Sequence, residues 1–324
     1  MAPMRILLAI LLPVAAAACA SEPPRAVQKA QDPERPGAMV LSTSDQRIRT
    51  VAWPSAGGRV VEYSLDGENI LWTPKGRAGG FQLDIGPEMR QIPKHDAIWS
   101  GPYQATPLGR AGLRLSSAPD PGLGLQVVKE LGIDPERGTL EVVGKMRNTA
   151  QGELSYCFWD RTLCEGGGYA LIPVNPKSKF KAGWVRGTRK GPALWEYDGQ
   201  TPQHPTMKLI NGVLVVKTGG PEQKVGTDTM DGWIAYARGK LLYVKYFPTF
   251  PTGRYTDGGL TVAHYYNQNL SELEPISPEV ALKPGQEYVF PQMWALLPLE
   301  KEVGTFEEAR ALVDRLPKSP FGGK

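Results

Sequence analysis

The chain has 324 residues, with 37 Lys and Arg against 33 Asp and Glu, a net charge of +4. The basic residues are scattered and form no stripe with interleaved aromatics, which argues against nucleic acid as a partner. Glycine (37) and proline (30) are frequent, but the apolar runs between them are long enough to build a core, so they mark turns rather than disorder.

The chain opens on "MAPMRILLAILLPVAAAAC". Arg5 precedes an apolar run from Ile6 to Val14, followed by small residues and Cys19. The run is too short and wrongly flanked for a membrane span, and residues 1–18 read as a secretory signal peptide. The Ala-Ala-Ala-Cys ending resembles a bacterial lipobox, with Ala16 where a leucine is usual. That reading makes Cys19 a lipidated first residue and a membrane tether. Plain signal-peptidase cleavage at an Ala-x-Ala site is the other reading. Both give an exported protein, in the periplasm or anchored as a lipoprotein. Residues 19–38, rich in Pro, Gln and charge, read as a linker or tether. A single domain is expected over 39–324.

Strand follows strand from there. "RTVAWP", "GRVVEYSLDG", "NILWTP", "TLEVVGKMRN", "YALIPV", "NGVLVVKT", "GWIAYARG", "KLLYVKYFP", "LTVAHYY" and "EYVFPQMWALLPL" favour β-branched, aromatic and aliphatic residues between turn formers. In "TLEVVGKMRN", Leu140, Val142 and Met146 alternate with Glu141, Lys145 and Arg147, the period of a half-buried antiparallel strand. Gly239-Lys240 reads as a hairpin turn. "TFEEARALVDRL" is the one helix, with Thr305 and Glu308 at capping-box spacing and Phe306, Ala309, Leu312 and Val313 as its apolar stripe. No phosphate-binding glycine loop, nucleophile elbow or 20–50-residue repeat occurs. The elements predict an all-β fold, one large antiparallel sandwich with a C-terminal helix.

Cys157 and Cys164 stand in "CFWDRTLC". They either pair in an oxidising compartment or remain buried thiols; the spacing leaves both open. With no nearby histidine they make no zinc signature, and no metal or cofactor is expected. "NLSELEPISPE" places Glu272 and Glu274 on one face of a strand with Leu273 on the other.

Four segments, in order, carry a resemblance. "GGRVVEYSLDGENILW", "GGFQLDIGPE", "MRNTAQGELSYCFWDRT" and "LSELEPISPEVALKPGQEYVF" resemble successive segments of the galactose mutarotase-like (aldose 1-epimerase-like) superfamily. The nearest likeness is to a group of exported bacterial proteins of unknown function within it. The resemblance covers about Met39 to Leu299. It implies a β-supersandwich with a carbohydrate-binding concave face. It also implies a catalytic glutamate, matching Glu274, that removes the anomeric hydroxyl proton. The partner histidine that gives a proton to the ring oxygen does not carry over, because Tyr156, Cys157 and Phe158 occupy its place. A second, sugar-binding histidine matches His95, ahead of Trp99.

His264, ten residues before Glu274, is the candidate to supply the missing proton from a neighbouring strand; its alternative is a packed, hydrogen-bonded histidine. Glu272 is read as tuning Glu274 or as guarding a strand edge. In "FWDRT", Asp160 and Arg161 are candidate sugar ligands, or a structural ion pair. Trp99, Trp159, Trp184 and Trp195 are candidates for stacking on a sugar ring, with one or two expected at the site. Three functions remain open on these residues: an epimerase-like isomerase, a non-catalytic glycan-binding or envelope-structural lipoprotein, and an accessory domain in polysaccharide processing.

Overall fold

Strands of alternating character can bury one face each, and here they do so against one another as two stacked antiparallel sheets. A computed structural model describes residues 27–75, 79–90, 92–191, 194–197 and 204–322. The expected signal peptide and Cys19 lie outside the described residues. The larger sheet contains, side by side, Arg59–Leu65, Phe81–Gly86, Leu154–Glu165, Leu270–Pro275, Val262–Tyr266, Gln223–Thr227, Val185–Arg189 and Trp195–Tyr197. The smaller sheet is centred on Trp233–Arg238, Leu241–Tyr246, Glu287–Pro298, Leu140–Asn148 and Leu125–Ile133.

The alternation read in "TLEVVGKMRN" is the one that builds this core. Leu140, Val142 and Met146 are buried between the sheets, while Glu141 and Arg147 face water. Each such apolar side chain contributes roughly 1.5–3 kcal/mol through burial. The sheets approach closely at Gly144, where a Cβ would lie 2.3 Å from Leu83 Cδ2. Gly239, at φ +54°, turns Trp233–Arg238 into Leu241–Tyr246 as expected.

Several local expectations are corrected. "NILWTP" does not form a regular strand; beyond Asn69 it offers only an isolated bridge between Leu71 and Cys164. Part of the expected tether is folded, because Gln28–Lys29 pairs with Met39–Val40 and the Ala30 N–H donates to the Ala38 carbonyl at 2.7 Å. Cys157 and Cys164 are both free and buried. They lie on one extended strand, seven residues apart, so their side chains leave opposite faces and cannot meet. Burial pushes both thiols above their ordinary range.

The C-terminal helix, Phe306–Ala311, continues as a 3-10 turn over Leu312–Arg315. Thr305 caps it by accepting from the Glu308 N–H at 3.1 Å, and Glu308 reaches back to the Gly304 N–H at 2.9 Å. Its apolar stripe covers the outer face of the smaller sheet at Tyr169, Leu171 and Val215. The outer face of the larger sheet is left for a different use.

Candidate functional site

That outer face carries a cleft of about 660 Å³. Its floor follows from strand register. Directly paired residues share a face, so Asp84 opposite Trp159, Gln82 opposite Arg161, Leu163 opposite Glu272, and Tyr265 opposite Glu272 and Lys224 all point outward. The alternate residues Leu83, Phe158, Leu273 and Tyr266 point into the core. Asp84, Arg161, Glu272, Lys224 and Tyr265 line the cleft with His95, Trp99 and Trp195. Trp99 packs beside the Phe81–Gly86 strand, where its carbonyl accepts from Gln82 Nε2 at 2.6 Å. Trp195 stands on the terminal strand Trp195–Tyr197, so two indoles close the two ends of the cleft.

Arg161 is the centre of the charge network. Its Nε donates to Asp84 Oδ2 at 2.9 Å, and its other nitrogens lie 3.5 Å from Glu88 Oε1 and 3.5 Å from Glu272 Oε1. Lys224 Nζ, nearly buried, reaches both Glu88 oxygens at 2.8 Å and Glu274 Oε2 at 3.2 Å. His95 Nδ1 lies 2.7 Å from the Pro93 carbonyl and Nε2 lies 2.7 Å from Asp84 Oδ1. A carbonyl and a carboxylate both accept, so this arrangement favours the doubly protonated form of His95. Burial opposes that charge, but the Asp84 carboxylate outweighs it and raises the His95 pKa. Burial likewise opposes ionisation of Asp84, and the His95 bond with the Arg161 charge holds it below the usual carboxylate range.

Glu274 points to the same face as Glu272 but is covered and does not line the cleft. It is fully buried, with Oε2 accepting from Trp159 Nε1 at 2.8 Å and Oε1 without a hydrogen-bond partner. Burial pushes its pKa up to about 7, with Lys224 pulling it down and Glu272 adding to the rise. The folded protein therefore holds a proton that the unfolded chain releases near pH ~4.3. Stability is expected to fall as pH rises from that value to about 7. Urea unfolding at pH 5 and pH 8 measures this: Glu274→Gln should remove about 2–4 kcal/mol of the wild-type difference. An unchanged difference would place the proton elsewhere.

Of the site residues read from the sequence, Arg161, Glu272, His95 and Trp99 converge on the cleft. Trp159 points to the same face but is fully buried, does not line the cleft and is bonded to Glu274. Two expectations are corrected. His264 pairs with Leu273, not with Glu274, so its ring leaves the opposite face of the sheet. There it is fully buried, with Nε2 2.9 Å from Ser271 Oγ, and burial lowers its pKa to about 3. It cannot pass a proton to a ligand in the cleft. Asp160 also faces the core, where Lys245 and Gln292 of the smaller sheet bind it, so it is neither a cleft ligand nor the ion-pair partner of Arg161. Trp184 packs into the core, while Trp195 reaches the cleft. Arg59, Asp84, Glu88, Lys224 and Tyr265 were not singled out as site residues. Asp84 and Glu88 had a visible signal, since "GGFQLDIGPE" sets charge into an apolar strand.

No family profile and no curated protein sequence matches the chain. Solved structures do match. A galactose mutarotase-like protein from Lactobacillus casei superposes with a TM-score of 0.59 at 10% identity, over 81% of this chain and 100% of its own. The Slr1438 protein from Synechocystis sp. PCC 6803 gives 0.57 at 14% identity, over 83% and 98%. A galactose mutarotase related enzyme from Lactobacillus acidophilus gives 0.56 at 9% identity, over 82% and 100%. The two-sheet topology and these superpositions together establish that the chain has the galactose mutarotase-like β-supersandwich fold.

Proposed function

We propose that the protein is exported and binds a carbohydrate in the cleft between Trp99 and Trp195. The observation that carries this reading is the preorganised floor. Arg161, Asp84, His95 and Glu272 are fixed on one another, offering donors and acceptors at set positions, and indoles flank them. Sugar hydroxyls need such alternating donors and acceptors, and the C–H face of a pyranose suits an indole plane. The size of the cleft falls within the roughly 300–1,000 Å³ of small-molecule sites. The mutarotase-like fold of the superposed proteins supports the same class of ligand.

A second reading, an aldose 1-epimerase-like isomerase, draws on the pKa of Glu274 near 7, which suits a general base. In it His95 is the one histidine among the described residues that lines the cleft, and it must leave Pro93 or Asp84 to give a proton to a ligand. The buried position of Glu274, closed in by Lys224 and Trp159, favours binding without turnover. Anomer interconversion of simple aldoses, measured beside calorimetric binding, separates the two. Binding without acceleration of interconversion supports the first reading. Acceleration that falls about a hundredfold or more in Glu274→Gln supports the second. Neither binding nor acceleration with any aldose removes both.

Export rests on the leader composition of residues 1–18, and anchorage rests on Cys19. Cell fractionation should find the wild type with membranes and Cys19→Ser among soluble exported proteins. Wild type in the soluble fraction would mean plain cleavage.

A further inference from the structure

We propose that Arg59 is an anion-recognition subsite at the Trp99 end of the cleft, and that the sugar it takes carries a carboxylate, as a uronic acid does. This rests on the carbohydrate-binding reading and names the class of sugar.

Arg59 begins the strand Arg59–Leu65, lines the cleft and is 4% exposed. Its guanidinium carbon lies 4.9 Å over the Trp99 ring. Its Nε is buried without an acceptor, and among the described residues its guanidinium has no side-chain hydrogen bond and no salt bridge. The other cleft cations are all matched by carboxylates. Arg161 has Asp84, Glu88 and Glu272; Lys224 has Glu88 and Glu274; His95 has Asp84; Lys94 has Asp96; Arg189 has Glu222.

Lys129 is fully buried behind the same corner, and its Nζ meets only neutral oxygens: Gly57 O at 2.7 Å, Gly58 O at 3.2 Å and Gln82 Oε1 at 2.6 Å. Gly57 and Gly58 directly precede Arg59, and burial, with the Arg59 charge adding to it, lowers the Lys129 pKa well below the ordinary lysine range, so this lysine gives Arg59 no counter-charge. Burial lowers the Arg59 pKa to about 10 although Asp84 and Glu272 oppose the change. A buried, unpaired cation is costly, and a bound anion recovers that cost. The planar guanidinium, with one face on an indole, matches a carboxylate through its fork of parallel N–H groups. Asp84 and Glu272 stand near enough to repel a second negative charge, so a singly charged carboxylate fits better than a phosphate dianion.

Calorimetric titration of the full chain with glucuronate, galacturonate, glucose, galactose and glucose 6-phosphate tests this. A uronate is expected to bind at least tenfold tighter than its neutral aldose, and added salt should narrow the gap. Arg59→Gln should bring the ratio close to one, while Arg59→Lys keeps part of it. The melting temperature of Arg59→Gln should hold or rise, because an unpaired buried charge is removed. Equal binding of uronates and neutral aldoses overturns the inference and leaves the carbohydrate reading standing. A preference for the phosphosugar overturns the carboxylate assignment. A uronate preference that survives Arg59→Gln moves the subsite elsewhere, and no binding of any sugar removes both readings.

Discussion

Replacing Lys245 with methionine is expected to destabilise the protein by about 3–5 kcal/mol. Lys245 and Asp160 are both fully buried, and they join the two sheets. Lys245 Nζ lies 2.5 Å from Asp160 Oδ1 and 2.6 Å from Thr162 Oγ1, above the rings of Phe81 and Trp294. Gln292 Nε2 holds the other Asp160 oxygen at 2.7 Å, and Trp294 Nε1 fixes Gln292 at 3.0 Å. Methionine fills much of the same space, so the loss isolates the charge. It leaves Asp160 in the core without its cationic partner. Adding Asp160→Asn should return most of the stability, giving a large coupling in a double-mutant cycle. Urea denaturation measures all three variants. A loss below about 1 kcal/mol for the single variant would mean that the pair contributes no more than an ordinary hydrogen bond.

Arg161→Met should weaken carbohydrate binding by about 2–5 kcal/mol, roughly thirtyfold or more. Arg161 is the only described group that faces Asp84, Glu88 and Glu272 together. Without it, Glu272 loses its guanidinium partner, while Asp84 keeps His95 and Glu88 keeps Lys224, and the donor at the centre of the floor is gone. Arg161→Lys should not rescue binding, because one ammonium cannot span the same three acceptors at these angles. Calorimetry with the tightest-binding aldose or uronate reads the effect. Affinity within threefold of wild type would place the ligand off this floor.

The fold was legible because it follows from period-2 patterning and turn residues. "TLEVVGKMRN", the Gly239 hairpin and the capped helix all follow from local chemistry. The site was legible only in part, for a reason of parity. Sequence tells which residues of one strand share a face, but not how two strands are registered. Across the hairpin after Tyr266, even positions pair with odd ones, His264 with Leu273 and Ala263 with Glu274. A ligand pair drawn from His264 and Glu274 therefore falls on two faces. "FWDRT" failed in the same way, since neighbours in a strand cannot both face one cleft. The buried lysines leave a trace in the sequence. On Leu125–Ile133, Lys129 takes the same face as Leu125, Val127, Leu131 and Ile133, a lone charge on an apolar stripe. A lysine so placed must find acceptors within the fold.

The strand Leu154–Glu165 gives consecutive residues separate employers: Asp160 and Thr162 hold the sheets together, while Arg161 and Leu163 meet the cleft. Selection can therefore act on the two sets almost independently. Between Asp160 and Leu163, changes at the odd positions can retune what is bound while the even positions keep the chain folded. Lineages that share this architecture are free to diverge in ligand along one register of the strand, and a saturation scan of Asp160 to Leu163 should show tolerance alternating with every residue.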